Sequence, residues 1–525
     1  MLNEVIKLVS STIEPKLLHS CITVIAAFFP GKKIEINPDN SHLNEPISEV
    51  NADEVLSASG QLVTYKEVVL KINTVTFDSF KVSWTENNKV IHQKIITSNL
   101  TLKEIEDEST LPGKEPLFQI LVKRALFIFL KEFIKIDNPW GILTGIRPGK
   151  LLLKMEERGL PVENQTKVLT NIYMVSEEKA RILQSIVEVQ KPYIKRYQTR
   201  PDLISIYLSI PFCPSRCFYC SFPSEQLSVS KKSLLSQYLH ALVEEIRMTG
   251  QVMRDYGLKA DNIYIGGGTP TILEVSDLEM LLRVIRDNIN TEKDLEFTVE
   301  AGRPDTIDLD KLELLKKYGV NRLSINPQSM QEETLKKIGR NHLVSDILDS
   351  YSLARELADW VINMDLILGL PGESLAEVSD SLEKVLELKP DNITVHALAL
   401  KRGSKAWEKN YEHNSRENWV GIENYLSKKI RAAGYRPYYL YRQKNIVGNL
   451  ENIGYAFPGQ ECRYNVAIIE EQQNILGLGA GGSSKILQGN NGHVNIYNPI
   501  GLNHYLKGFR EVHIKRREAL LNASQ

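Results

Sequence analysis

The chain has little cysteine, almost no net charge and no long hydrophobic run. Five cysteines in 525 residues exclude a disulfide-stapled scaffold. A formal net charge of -1 advertises no overall basic surface for nucleic acid or an anionic membrane. The longest apolar run near the start, "CITVIAAFFP" (21–30), is too short to span a bilayer, and the basic-then-apolar opening of a signal peptide is missing. These absences lead us to expect a cytoplasmic protein with reduced thiols, no membrane span and no nucleic-acid partner. What is present is bulk: 42% hydrophobic residues over this length can build the cores of two or three domains.

Three of the five cysteines, Cys213, Cys217 and Cys220, stand in "SIPFCPSRCFYCSF" with the spacing C-x3-C-x2-C. Cys21 and Cys462 are isolated and read as ordinary partly buried thiols. A disulfide reading of the cluster conflicts with a reducing compartment and an odd number. A tetrahedral zinc site needs a fourth ligand, and no second C-x2-C or H-x3-H lies nearby. Three unrelated buried cysteines are a further reading. The fourth is an iron–sulfur cluster, for which thiolates are suitable soft ligands. Three cysteines leave one iron of a [4Fe–4S] cluster open to a small chelating molecule.

From about residue 200 strands and helices alternate. "LISIYLSI" (203–210), "NIYIGGG" (262–268), "LEFTVE" (295–300), "NRLSINPQ" (321–328), "INMDLILGL" (362–370) and "DNITVHALAL" (391–400) read as six strands. Helical spacing falls near 231–253, 276–289, 308–318, 331–337, 345–358 and 376–387. Such alternation implies a parallel sheet with right-handed crossovers, and six units fit an open partial barrel rather than a complete eight-unit one. Chemistry then collects at the strand carboxyl ends. The polar oddities fall there: the cysteine loop, "GGGTP" (266–270), "EAGRPD" (300–305), "NPQS" (326–329) and Asp365 before "GLPGE", while the sixth strand ends near Ala399.

Each motif also has an ordinary reading. "GGGTP" is either a tight turn or a place where the backbone approaches a ligand. Glu300 and Asp365, set among apolar strand residues, either contact something polar in the mouth or form internal salt bridges. Arg340 can supply such a bridge or meet a ligand carboxylate. His396 reads as a satisfied core histidine, and "HIKRRE" (513–518) as a solvated helix face. In the first 200 residues, 116–134 reads as one strongly apolar helix. Arg147 and Lys150 in "NPWGILTGIRPGKLLLK" can hold a carboxylate, but a capped helix is the preferred reading. The best domain break is "KRYQTRPD", near 195–200.

The cysteine stretch resembles the signature of the radical S-adenosylmethionine (SAM) superfamily. "YLSIPFCPSRCFYCSF", "YIGGGTPT", "TVEAGRPD", "RLSINPQSM", "IGRNH", "NMDLILGLPGES" and "GLGAGGSS" occur in the order seen in the oxygen-independent coproporphyrinogen III oxidase (dehydrogenase) family. The likeness covers roughly residues 200–485. The added amino-terminal region and "GNLENIGYAFPGQECRYN" resemble a longer branch of that family. The resemblance implies an α/β fold: a partial (β/α)6 radical SAM barrel (196–425), an added N-terminal α+β region (1–195), and a smaller C-terminal domain closing the site (426–525). It implies that Cys213, Cys217 and Cys220 ligate a [4Fe–4S] cluster. Tyr207 and Gly267 would contact the cluster-bound SAM, with Glu300 binding it as well, and Tyr219 is a further cofactor-binding position. Gly268, Thr269, Gln328, Arg340, Asp365 and Ala399 match positions that hold a second SAM in the family.

The implied chemistry starts with an electron from the reduced cluster, which cleaves SAM to methionine and a 5'-deoxyadenosyl radical. The radical takes a hydrogen from a propionate β-carbon. Loss of CO2 and one further electron leaves a vinyl group, and two rounds convert coproporphyrinogen III to protoporphyrinogen IX. Implied partners are a tetrapyrrole (coproporphyrinogen III or haem) and an electron donor such as flavodoxin or ferredoxin, with the protein a monomer. One position departs from the pattern. Decarboxylating members carry another cysteine two positions after the third cluster cysteine, and here that position is Phe222. In this respect the chain resembles the haem-trafficking chaperone relatives. A relative that opens the haem ring by radical methyl transfer is a third possibility.

Overall fold

The computed structural model describes residues 5–29, 32–37, 55–56, 62–63, 67–76, 78–86, 89–97, 116–135, 138–145, 147–414, 417–489 and 492–523. The chain forms two compact units: 1–184 with 442–449, and 185–441 with 450–525.

The first unit is α+β. Strand Val5–Val9 pairs in parallel with Lys33–Asn37 and with Glu67–Thr76, and the sheet continues antiparallel through Ser79–Glu86 and Lys89–Thr97. The apolar stretch expected as a helix forms Leu117–Ile134, with Ile120, Leu121, Ala125 and Leu126 buried and Phe127 against Phe28. Arg147 precedes the short helix Gly149–Glu157 in this unit. The segment 442–449 also belongs here: Arg442 lies over the Trp140 ring and donates to the Leu143 carbonyl.

The second unit contains the expected partial barrel. Six parallel strands follow one another across it: β1 (Leu203–Ile210), β2 (Lys259–Gly267), β3 (Thr291–Glu300), β4 (Arg322–Ser324), β5 (Val361–Leu368) and β6 (Asn392–Ala397). Helices α1 (Lys232–Asp255), α2 (Val275–Asn288), α3 (Leu309–Lys317), α4 (Val344–Leu357) and α5 (Leu375–Leu388) lie in the crossovers. Their starts carry local signals: Asp308 accepts from the Lys311 amide before α3, and Ser374 with Glu377 forms a capping box at α5.

The strand pattern is period two, as the pleat requires. On β5 and β6 one set of side chains is apolar and buried: Ile362, Met364 and Leu366, and Ile393, Val395 and Ala397. The alternate set, Asn363, Asp365, Asn392, Thr394 and His396, is polar and lines a cavity. Register keeps the two strands matched, with Asn363 beside Asn392 and Asp365 beside Thr394. The barrel interior is therefore a polar lumen rather than a packed core.

The domain division differs from the expectation. The break lies at 184/185, inside helix Glu177–Thr199, whose end reaches the expected 195–200. No separate C-terminal unit forms, because the later strands hydrogen-bond into the barrel sheet. Helix α6 (Trp419–Ala432) is followed by β7 (Arg436–Tyr441) and β8 (Asn452–Ala456), and β8 pairs antiparallel with β6. After helix α7 (Arg463–Glu470), strand β9 (Ile475–Leu478) pairs in parallel with β1, and β10 (Ser483–Leu487) and β11 (His493–Tyr497) extend that edge. The sheet thus has eleven strands.

Helix α8 (Leu502–Ala523) carries "HIKRRE", and its expected solvated face is only partly so. Arg516 is buried and donates to Glu245, which also accepts from the Gly479 amide, Asn498 and Tyr505.

Candidate functional site

Strand β1 runs straight into the cysteine loop. Cys213 sits on a two-residue strand, Phe212–Cys213, paired with Glu225–Gln226, and Cys217 and Cys220 follow on the loop. All three thiols are half-buried and free. The loop is tied to two neighbouring segments. Phe218 donates its amide to the Ile338 carbonyl (2.9 Å), and Ser215 Oγ donates to the Gly339 carbonyl (3.0 Å). The Ala406 amide donates to the Phe218 carbonyl (2.9 Å), and Tyr411 meets the Phe218 ring edge-on.

Three side chains outside the loop reach its sulfurs. Thr269 Oγ1 lies 3.6 Å from Cys213 Sγ. Arg303 Nη1 lies 3.9 Å from Cys217 Sγ, and Arg340 is beside Cys217 and Tyr219. Burial pushes the Cys220 thiol up to about 11, and the Cys217 and Cys213 sulfurs add to that effect. Iron binding would displace the proton. Among the described residues no three His, Cys, Asp or Glu side chains converge on a point suited to one metal ion. A [4Fe–4S] cluster makes a different demand, because each thiolate takes its own iron corner. Three free thiols on one loop, with donors already aimed at two of the sulfurs, fit such a cluster.

The "GGGTP" turn lies against this loop. Gly268 and Thr269 donate their amides to the Ile210 and Phe212 carbonyls, both at 2.8 Å. A Cβ on Gly268 would stand 2.5 Å from the Phe212 carbonyl oxygen, so only glycine fits. Gly267 has φ +106°, and its missing Cβ would stand 3.3 Å from the Phe222 ring.

Glu300 ends β3 behind the turn. Its carboxylate accepts from Tyr264 Oη at 2.6 Å and faces the Gly267 amide. Burial pushes this carboxyl up to about 7, against the pull of the Tyr264 hydrogen bond. The rings of Tyr207, Tyr264 and Tyr464 stack, with Tyr264 and Tyr464 only 4.6 Å apart.

Glu300 and Asp365 both line the barrel cavity of about 280 Å³, together with Tyr264, Arg322, His396 and Tyr439. Burial alone would raise the Asp365 pKa, but His396, Asn363 and Thr394 outweigh it and hold the carboxyl below its usual range. His396 Nε2 is 3.6 Å from Asp365 Oδ2, and its Nδ1 is 3.3 Å from Asn452 Oδ1. His396 is thus satisfied, as expected of a core histidine, but it faces the lumen.

Gln328 and Arg340 lie in the segment that follows β4. Gln328 holds a left-handed backbone (φ +67°), and its amide donates to the Asp365 carbonyl at 2.8 Å. Arg340 is buried and donates to the Asn326 carbonyl at 2.5 Å. Ala399 is buried just beyond β6.

The expected residues therefore gather in linked groups: the cysteines with Thr269, Tyr219 and Arg340; Gly267 with Glu300; Gln328 with Asp365. Sequence reasoning missed Arg303, Tyr264 and the lumen-facing role of His396. Arg303 had a signal, being the cation in "EAGRPD" after a strand-terminal acid. Tyr264 had none, since a tyrosine inside a strand is ordinary. Cys462, expected as a partly buried thiol, is buried at 3.3 Å from Glu296 Oε1, where burial pushes it up to about 12.

Residues 207–385 match the Radical SAM superfamily. The oxygen-independent coproporphyrinogen-III oxidase-like protein HemZ of Bacillus subtilis (strain 168) is 40% identical over 398 residues, 74% of this chain and 79% of its own length. That is a longer stretch than residues 196–525 supply, so the likeness extends into the N-terminal region. The heme chaperone HemW of the same organism is 32% identical over 282 residues, covering 53% of this chain and 69% of HemW. Among solved structures, the coproporphyrinogen III oxidase HemN of Escherichia coli aligns with a TM-score of 0.49 and 25% identity, covering 62% of this chain and 73% of that one. The chain belongs to the radical SAM superfamily and, within it, to the oxygen-independent coproporphyrinogen-III oxidase-like family. A [4Fe–4S] cluster and SAM are the cofactors of this class, and the cysteine loop is where the chain offers thiolates for the cluster. Among the described residues no helix is long and apolar enough to cross a membrane.

Proposed function

We propose that the protein carries out oxygen-independent oxidative decarboxylation of coproporphyrinogen III propionates to the vinyl groups of protoporphyrinogen IX. The observation that carries this reading is one connected site. The cysteine loop is hydrogen-bonded to the glycine turn, Glu300 faces the Gly267 amide of that turn, and Glu300 and Asp365 together line the polar lumen beside it. When bound, the cluster and SAM supply hydrogen-atom abstraction by one-electron cleavage of SAM.

The chain's own residues do the rest. Cys213, Cys217 and Cys220 hold iron and leave one corner for SAM. The glycine turn lets the backbone approach the ligand, and Glu300, oriented by Tyr264, accepts a hydrogen bond from the cluster-bound SAM. The Tyr207–Tyr264–Tyr464 stack walls one side of the site against water. Gln328, Arg340 and Asp365, with Gly268, Thr269 and Ala399, supply the polar contacts of a second SAM, and His396 keeps Asp365 ionised. The electron comes from a flavodoxin- or ferredoxin-type donor, and the protein works as a monomer in the cytoplasm.

One observation favours a second reading. Phe222 packs toward Gly267 and offers no thiol at that position, which suits a haem chaperone of the kind named among the relatives. The deciding experiment is anaerobic incubation of the reconstituted protein with SAM, dithionite and either coproporphyrinogen III or haem, read by mass spectrometry. Mono- and divinyl products support decarboxylation. Tight haem binding with SAM cleavage uncoupled from any tetrapyrrole product supports the chaperone, and a methylated, ring-opened haem supports methyl transfer.

A further inference from the structure

Arg303 lies three residues beyond Glu300 and is 3% exposed. Its guanidinium is fully committed. Nε and Nη2 grip Asp305 Oδ1 and Oδ2, each at 2.8 Å, in a bidentate fork. The remaining nitrogen, Nη1, points the other way, 2.9 Å from Ser215 Oγ and 3.9 Å from Cys217 Sγ. Ser215 in turn fastens the loop to the Gly339 carbonyl. An arginine cannot give up its proton here, so, on the proposed reading of Cys217 as a cluster ligand, a permanent cation abuts an iron-ligating sulfur. Asp305 stands on the far side of the guanidinium, with His342 Nδ1 3.9 Å from it. The pair is thus a dipole with its positive end at Cys217.

We infer that Arg303 is a positioning residue that raises the reduction potential of the cluster through its contact with Cys217, and that Asp305 moderates it. Reduction adds one electron to the cluster and so one negative charge shared with its thiolates. A donor already aimed at one sulfur stabilises that added charge more than it stabilises the oxidised form. Arg340, also beside Cys217, acts in the same sense but is tied to Asn326 and Tyr219. Removing Arg303 removes the oriented donor. Removing the Asp305 charge leaves the cation uncompensated. The two substitutions should therefore move the potential in opposite directions, which no purely structural role would do.

The test is an EPR-monitored redox titration of full-length protein reconstituted anaerobically with iron and sulfide. Dithionite serves as the one-electron donor and no SAM is present. Arg303→Gln should lower the reduced-to-oxidised ratio at the parent's midpoint by about tenfold, a shift of about 59 mV to more negative potential. Asp305→Asn, which keeps the Arg303 donor, should raise that ratio. Arg303→Lys, with the charge kept and the fork lost, should fall between parent and Gln. Unchanged potentials in both Gln and Asn variants, or shifts of the same sign, overturn the inference. So does loss of iron from both variants with the fold intact, which would make the pair a device for retaining the cluster only. If Arg303→Gln alone fails to fold, the sign of the Asp305→Asn shift still decides.

Discussion

Replacing Glu300 by Gln keeps the side-chain shape at the end of β3 and removes its charge. Burial holds this carboxyl at about 7 in the folded protein, even with the Tyr264 hydroxyl donating to it. As the proposed acceptor for the cluster-bound SAM, Glu300 works in its carboxylate form. Above about pH 7 the site is ready; below it, binding must first expel a proton, and affinity falls by up to about tenfold per pH unit. A charge-assisted hydrogen bond contributes roughly 1.5–3 kcal/mol, so Glu300→Gln should weaken SAM binding about tenfold to a hundredfold at about pH 8. The variant has no side-chain proton to lose, so its affinity should fall less steeply than the parent's as pH drops below about 7. Stability carries the same signature. Because the folded pKa exceeds the unfolded one, ionisation of Glu300 costs stability as pH rises from about 4.5 to about 7, and the Gln variant escapes that cost. The assay is equilibrium SAM binding to the reconstituted protein across this pH range, with iron content measured in parallel. Unchanged affinity with an intact cluster, or the same pH slope in both proteins, refutes the reasoning. An unfolded variant would make the carboxylate structural.

Cys217→Ala should abolish the stable cluster and SAM cleavage together, leaving no broad visible absorption after anaerobic reconstitution, because iron loses one of three thiolates. Asp365→Asn should spare SAM cleavage in the absence of tetrapyrrole more than complete turnover, measured as 5'-deoxyadenosine formed with and without substrate. Gly268→Ala drives a methyl group into the Phe212 carbonyl and should lower iron retention without unfolding the barrel, measured as iron per protein beside circular dichroism. Arg516→Met leaves Glu245 buried without its cation and should cost about 3 kcal/mol, seen as an earlier urea midpoint.

The barrel was legible because its strands obey two patterns at once. Branched residues mark β1, β2, β5 and β6, and each strand ends in an unusual polar motif. The cysteine spacing and the glycine turn were legible for the same reason: few ordinary structures need them. The short strand β4 was read too long: the ladder stops at Ser324, and the left-handed Gln328 returns to β5 only as an isolated bridge to Leu366. The C-terminal region was misjudged because sheet membership is decided by partners far away in sequence. Nothing local in "NILGLG" says that it pairs with β1. The lumen side of His396 was hidden likewise: facing inward means core in most barrels, and only the polar residues opposite make this interior a cavity. Arg516 was misread because a run of charges does not tell which one turns inward toward Glu245.

The pairing of β9 with β1 bears on how the molecule is made. Strand β1 delivers the cysteine loop, yet one of its two edges is covered only by a strand synthesised roughly 265 residues later. At about 5–20 residues per second, a ribosome leaves that edge bare for tens of seconds. During this time the loop hangs from a half-paired strand, a ready template for the wrong neighbour. The Tyr238 hydroxyl, which donates to the Ser209 carbonyl and accepts from the Ala480 amide, joins the two ends of this delay. The edge beside the cysteine loop is therefore closed only when the glycine-rich turn at 477–482 arrives, long after the cysteines themselves have been synthesised.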